Sequence, residues 1–333
     1  MSLKHFLTWY LAVLLCGIAP YHKANGQQTP QFTQYYLHEP LYNPAAAGKQ
    51  RGLNATLSIR AQWIGIEGLP RTQTLSTHAP VPLLRGSVGF ALVNDQLGAQ
   101  QNIELKTMYA YRQNIARKRY LQVGLAAGLR YKGLKTEQLI TPEGDYVDGN
   151  INHEDNLIAV KAQNALAPDL SIGIYYQHSE KLNIGVALQQ LLGNAFKIQG
   201  SEPDTEVNIK MVQHLSVNAA YRIDIGQHLA LLPSVLLYSD FNKWQTNITL
   251  PLHINQRFYI GTALRGLPTD MESASIVGGW QFNPQWLISY SYDIVLNELN
   301  SATSGSHELT LQYHLDKIIR TKQGKIRYSP RFL

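Results

Sequence analysis

The sequence predicts an all-β protein: a transmembrane antiparallel outer-membrane β-barrel of about fourteen strands, with short periplasmic turns and long extracellular loops. Three observations lead there. Apolar and polar residues alternate with period two along most of the chain. The connections between the alternating segments sort by parity, with every long insertion among the odd ones. The composition also fits, because charged residues are only 16% of the 333, against roughly 25% in soluble domains, while tyrosine reaches 19. No apolar run of about 20 residues exists beyond the N-terminus, so a bundle of membrane-spanning helices is excluded.

Leu53 to Trp63 carries the clearest alternation. Leu53, Ala55, Leu57, Ile59, Ala61 and Trp63 alternate with Asn54, Thr56, Ser58, Arg60 and Gln62, which defines a strand with one apolar and one polar face. The template repeats near 72–79, 86–93, 101–112, 120–131, 169–177, 181–189, 213–222, 228–238, 244–253, 256–265, 272–282, 285–293 and 306–315. Two segments are weak: 72–79 has Leu75 as its one large apolar residue, and the run Leu229 to Leu232 blurs the period. Such lengths cross roughly 25–30 Å of hydrocarbon at a tilt near 40°. In lipid an unpaired backbone amide costs several kcal/mol, so strands must close into a ladder without edges. Apolar alternates then face lipid and polar alternates face the lumen. Tyr and Trp near strand ends (Trp63, Tyr109, Tyr131, Tyr238, Tyr259, Trp280, Trp286 and Tyr313) are expected to form a headgroup girdle.

The odd connections include 132–168, 190–212 and 294–305, whereas the even ones are turns such as 178–180, 254–255 and 283–284. A soluble sandwich has no reason to sort loops this way. Short turns are periplasmic in outer-membrane barrels, and an even strand count puts both ends of the barrel on that side.

Residues 1–26 read as an export signal, with Lys4 and His5 preceding an apolar core from Phe6 to Ile18 and a small-residue site at Ala24-Asn25-Gly26. A retained anchor is disfavoured by the short apolar stretch, and lipidation at Cys16 by the bulky Leu before it. Removal of this segment takes away the one cysteine, so the mature chain has no disulfide. It also takes Lys4 and Lys23 from the 29 basic residues, leaving 27 against 23 acidic. That balance, with no basic–aromatic stripe, argues against nucleic acid as a partner. The remaining expected units are a periplasmic N-terminal segment 27–50, a barrel 51–315 and a basic periplasmic tail 316–333. For residues 27–50 two placements stand open, a periplasmic lead-in and a plug at the barrel mouth.

The charged polar alternates, with Gln62, are the candidate lumen residues: Arg60, Gln62, Glu104, Lys106, Arg112, Arg130, Arg222, Arg265, Asp293 and Glu308. They form either an internal salt-bridge network or contacts to a held client segment. Asp148 to Asn152 echoes a calcium loop, but His153 stands where the sixth-position glycine belongs and Ala159 where the final glutamate belongs. No nucleophile elbow, HExxH pair, P-loop or dinucleotide fingerprint occurs, so no enzyme, metal or cofactor is expected.

Motifs at both ends resemble a known family. Gln31-Phe32-Thr33-Gln34-Tyr35-Tyr36, Asn43-Pro44-Ala45-Ala46-Ala47-Gly48 and Arg60-Ala61-Gln62-Trp63 follow one another closely. Near the C-terminus stand Ser306-His307-Glu308-Leu309 and the ending Arg327 to Leu333. The set is similar to the PorP/SprF outer-membrane proteins of the Bacteroidetes type IX secretion system, with Gln34, Tyr35, Asn43, Pro44, Gly48 and Trp63 as the matching N-terminal positions. The resemblance implies a non-enzymatic barrel in export, surface display and gliding. It implies partnership with a secreted, adhesin-like protein bearing a type IX C-terminal domain, and contacts to periplasmic components of the system. A diffusion channel for small or hydrophobic solutes is the alternative. In the tail, six basic residues face Asp316 alone. That tail either lies against anionic outer-membrane lipid or docks through Arg327, Tyr328, Pro330, Arg331 and Phe332.

Overall fold

The computed structural model describes residues 29–145, 152–155, 157–158, 162–179, 181–200, 205–267 and 271–316. The proposed leader, most of the Asp148–Asn152 stretch and the basic tail with Arg327, Tyr328, Pro330, Arg331 and Phe332 lie outside them.

Eighteen strand segments build the wall and one loop hairpin. They are β1 (Leu53–Ala61), β2 (Arg71–Val81), β3 (Gly86–Leu97), β4 (Gln100–Ala116), β5 (Arg119–Leu134), β6 (Gln163–His178), β7 (Leu182–Gln189), β8 (Ala195–Gln199) and β9 (Glu206–Lys210). There follow β10 (His214–Tyr221), β11 (Ile223–Ile225), β12 (Leu229–Leu231), β13 (Ser234–Ser239), β14 (Trp244–Ile254), β15 (Phe258–Arg265), β16 (Ser273–Gln281), β17 (Trp286–Val295) and β18 (Ser306–Leu315). β10 with β11, and β12 with β13, are two strands each interrupted once, and β8–β9 is a separate hairpin inside a long loop. The result is a closed antiparallel barrel of fourteen strands. Closure is direct, since β1 pairs with β18 from Leu53↔Leu315 to Ala61↔His307. Among the described residues each of the fourteen strands has a neighbour on both sides, as strands in lipid require.

Burial is inverted relative to a soluble protein. Leu57, Ile59, Leu125, Ile174, Ile260 and Ile276 are exposed on the outer wall, while Ser58, Arg60, Thr74, Ser291 and Glu308 are buried within. The connections 82–85, 117–118, 179–181, 226–228, 255–257 and 282–285, all short, share one rim, and the other carries 62–70, 135–162, 190–213 and 296–305 together with the short 98–99 and 240–243. The two weak segments are real strands. β2 pairs along its whole length with β3, and the blurred region breaks between β12 and β13 at Leu232-Pro233, because proline has no amide to give the ladder. β13 also turns Leu236 and Tyr238 inward, where they are buried.

Two of the expected girdle positions are therefore corrected: Tyr238 and Tyr259 point into the lumen, not at headgroups. Trp63 is a third. β1 ends at Ala61, and Trp63 sits at a positive φ of 55° in the following turn, lining an internal cavity.

Inside the wall runs residue 29 onward as three short turns: a 3-10 turn Tyr35–Leu37, one α turn Glu39–Tyr42 and a 3-10 turn Pro44–Ala46. Thr29 to Gln31 share a cavity of about 200 Å³ with Trp63, Leu97 and Asn297 at the long-connection rim. Gln50 and Arg51 line the opposite, short-turn mouth. The segment thus threads the barrel from one rim to the other. Of the two placements open for this segment, neither a periplasmic lead-in nor a plug confined to the mouth describes residues 29–48, which fill the lumen along its length.

Candidate functional site: the self-occupied lumen

The lumen segment is bonded to the wall almost all the way round. At its start, the amide of Thr33 donates to Glu308 Oε2 (2.8 Å) and that of Gln34 to Glu308 Oε1 (3.2 Å). Thr33 Oγ1 donates to the Asp293 carboxylate (2.8 Å) and accepts from Arg60 Nη1 (3.1 Å) and Arg265 Nη2 (3.0 Å). Arg60 in turn bridges Asp293 (2.5 Å) and Glu308 (3.0 Å) with all three side chains buried. Two guanidiniums and two carboxylates make the cluster neutral, the condition under which charges survive away from water.

A second neutral cluster crosses β4, β5 and β6. Glu104 pairs with Lys106 and with Arg130 (2.6 Å), and Arg130 reaches Asp169 (3.1 Å). Lys106 Nζ also donates to the carbonyl of Leu41 in the segment (3.4 Å). Gln62 lines the cavity at the long-connection rim, whereas Arg112 and Arg222 belong to the short-turn mouth. The candidate residues therefore divide into two clusters and two rims.

The family-like motif residues form the segment's own seat. Tyr35 Oη hydrogen-bonds Ser234 Oγ (2.9 Å), and Gln34 Oε1 accepts from Tyr259 (3.2 Å) and Ser289. Asn43 caps the turn that Pro44 opens: its Oδ1 accepts from the Ala45 amide (2.9 Å), while its Nδ2 donates to the carbonyl of Ile174 (3.0 Å) on β6. The alanines that follow are small for a reason. Gln122 reaches between them to the carbonyls of Ala45 and Ala47 (3.0 Å each), and lumen-facing glycines on β5 and β6 give them room. A Cβ at Gly124 would lie 2.3 Å from Ala45 N, and one at Gly173 2.0 Å from Asn43 Oδ1. Gly48 has φ of 78° and packs on Ser87, where no side chain fits, and its amide donates to His78 Nδ1 (3.0 Å).

Other partners were not singled out in the sequence. Tyr175 donates to Glu39 (2.8 Å), which Lys49 also pairs (2.5 Å), Gln189 donates to the Leu41 carbonyl (2.6 Å) and Ser216 to that of Tyr42 (2.9 Å). Tyr175, Gln189 and Ser216 sit on inward alternates, so alternation placed them in the lumen without saying what they held. One side of the segment is apolar: Phe32, Tyr35, Leu41 and Tyr42 pack with Ala91, Val93, Met108, Leu236 and Tyr238 of the wall. Among the described residues, no group of three or more His, Cys, Asp and Glu is placed to hold a metal.

Chemically, this arrangement closes a barrel and offers two surfaces, one at each rim. Among solved structures the chain is similar to a CymD monoaromatic hydrocarbon channel, with 12% identity, 84% of this chain and 93% of that one covered, and a TM-score of 0.50. It also aligns with the Pseudomonas putida toluene transporter TodX (10% identity, 90% and 95% covered, TM-score 0.48). The Ralstonia pickettii toluene transporter TbuX gives 10% identity, 82% and 92% covered and a TM-score of 0.49. At these identities the likeness concerns the outer-membrane barrel fold alone. No curated protein matches the sequence. Residues 24–313 match the family described as type IX secretion system membrane protein PorP/SprF. A fourteen-stranded outer-membrane barrel whose Gln34, Asn43–Gly48 and Arg60 motifs build a seat for its own N-terminal segment thus belongs to the PorP/SprF family of type IX secretion membrane proteins.

Proposed function

We propose that this barrel is a non-enzymatic anchoring partner in type IX export. It holds a secreted, adhesin-like protein with a type IX C-terminal domain at the outer membrane, and it engages periplasmic components of the system on its short-turn side. One observation carries the mechanistic part: the lumen is occupied by the chain's own residues 31–48, tied down by the Arg60–Asp293–Glu308 cluster. A lumen filled in this way is poorly suited to hold a client, so the client is held at a rim. The basic tail, with Arg327, Tyr328, Pro330, Arg331 and Phe332, is proposed as a further periplasmic contact. Export through a cleaved leader, residues 1–26, belongs to the same reading.

A second reading, a channel for hydrophobic solutes, is favoured by the fold likeness to a hydrocarbon channel. It requires the segment to leave the lumen. Deleting the gene separates the two readings. The anchoring role predicts loss of the type IX client from the cell surface, with the client shed or retained in the periplasm, and restoration by the intact gene. Unchanged display together with impaired uptake of an aromatic hydrocarbon would sink anchoring in favour of the channel.

A further inference from the structure

The short-turn mouth encloses a cavity of about 1020 Å³ whose floor includes Leu37 and Pro40 of the lumen segment. Its charge is one-sided. Lys49 is neutralised by Glu39 (2.5 Å), and Lys181 (3.0 Å) and Arg222 (2.8 Å) share Asp224. Asp316 is the other carboxylate of the lining. Arg51, Arg112, Lys118 and Arg257 also line the cavity, and none has a carboxylate partner among the described residues. Arg112 lies 3.9 Å over the Tyr120 ring and reaches only the Gly48 carbonyl and Gln177 (3.4 Å each). Arg51 precedes β1, Arg112 lies in the last part of β4, Lys118 is in the β4–β5 turn and Arg257 is in the β14–β15 turn. The four are therefore spread around the ring and do not converge on one point.

We propose that this vestibule is a docking site for an acidic polypeptide segment, a Glu- and Asp-bearing loop or terminus of a periplasmic protein. The inference rests on the export reading above and gives its periplasmic contact a place and a chemistry. Unpaired cations in a concave, partly screened site attract opposite charge and fix its register. Their spread around the mouth suits a chain carrying several carboxylates better than one small anion. The protein's own tail is a poor occupant, because Asp316 to Leu333 carries six basic residues against one acid. Lipid headgroups surround the outer wall, whereas these side chains face the enclosed mouth.

The experiment uses the full barrel in neutral detergent and a fluorescein-labelled deca-glutamate peptide as probe, followed by anisotropy at low and high salt. The expected result is saturable binding that weakens with salt. The triple variant Arg51→Gln, Lys118→Gln, Arg257→Gln should bind at least tenfold more weakly. A control variant, Arg85→Gln with Arg117→Gln, removes two short-turn cations that do not line the cavity and should bind as the parent does. Heat-modifiable gel migration verifies that each variant is folded. Equal weakening in both variants, or no binding by the parent, would overturn the proposal. Displacement of the peptide by dihexanoyl phosphatidylglycerol but not by a second acidic peptide would overturn it too, in favour of lipid. Because no client is present, failure here leaves the display experiment standing, and failure of display leaves this binding standing.

Discussion

Replacing Arg60 by methionine is expected to cost the barrel more stability than any other single change in its lumen. Arg60 is buried and serves Asp293 (2.5 Å), Glu308 (3.0 Å) and Thr33 (3.1 Å) together. Without it, two buried carboxylates face Arg265 alone, whose Nη2 lies 3.8 Å from Asp293. Breaking a buried pair by removing one partner costs about 3–5 kcal/mol. The folding equilibrium constant from a urea titration should accordingly fall by roughly two to four orders of magnitude. The same variant carrying Glu308→Gln should recover much of the loss, since the remaining Asp293 and Arg265 charges then balance. No recovery would mean that Arg60 acts through packing, as its buried stem also allows.

The second large effect is expected at Gly173. Its missing side chain is what admits Asn43, and a leucine there would drive into the turn Pro44–Ala46. The wall needs to yield only by a few tenths of an ångström, because the residue points inward and the nearest wall atom to the new Cβ, the Ala187 Cβ, lies 3.1 Å away. Asn43 would lose its bonds to Ile174 and the Ala45 amide, each worth about 0.5–1.5 kcal/mol. Gly173→Leu is therefore expected to expel the segment and leave an open barrel. In planar bilayers the parent should stay silent and the variant should conduct in sustained steps. A cysteine reporter at Ala46, buried in the parent, should become maleimide-reactive in Gly173→Leu and stay protected when lipid-facing Ile174 is changed to Leu. A silent, protected variant would show that the glycine is not what admits the turn.

Much of the wall was legible in the sequence because a lipid-facing strand must alternate strictly, as Leu53 to Ala61 and His307 to Leu315 do. Strand ends were less so. β5 and β6 continue their pairing to Leu134↔Gln163, where the chain has outrun the expected hydrocarbon zone and alternation no longer reports it. The lumen segment was the least legible part. Its turns are three and four residues long, too short for any period, and its buried apolar residues look like an ordinary leader to a strand. It also hid part of the wall, since Leu236, Tyr238 and Tyr259 break the expected inside-polar rule because they pack on it. The charged alternates were found individually, but Asp169 and Thr33, which complete the two clusters, carried no signal beyond their residue type.

The measurement that tests the account most directly places a cysteine at Thr29, where the segment meets the long-connection rim beside Trp63. The one natural cysteine, Cys16, lies in the proposed leader, so the reporter is alone in the mature chain. Intact cells carrying Thr29→Cys are treated with a membrane-impermeant maleimide before and after the outer membrane is permeabilised. If the chain threads its own barrel toward the cell surface, labelling occurs in intact cells and permeabilisation adds little. Labelling that appears only after permeabilisation would contradict the threaded lumen and with it the closed-barrel account of anchoring.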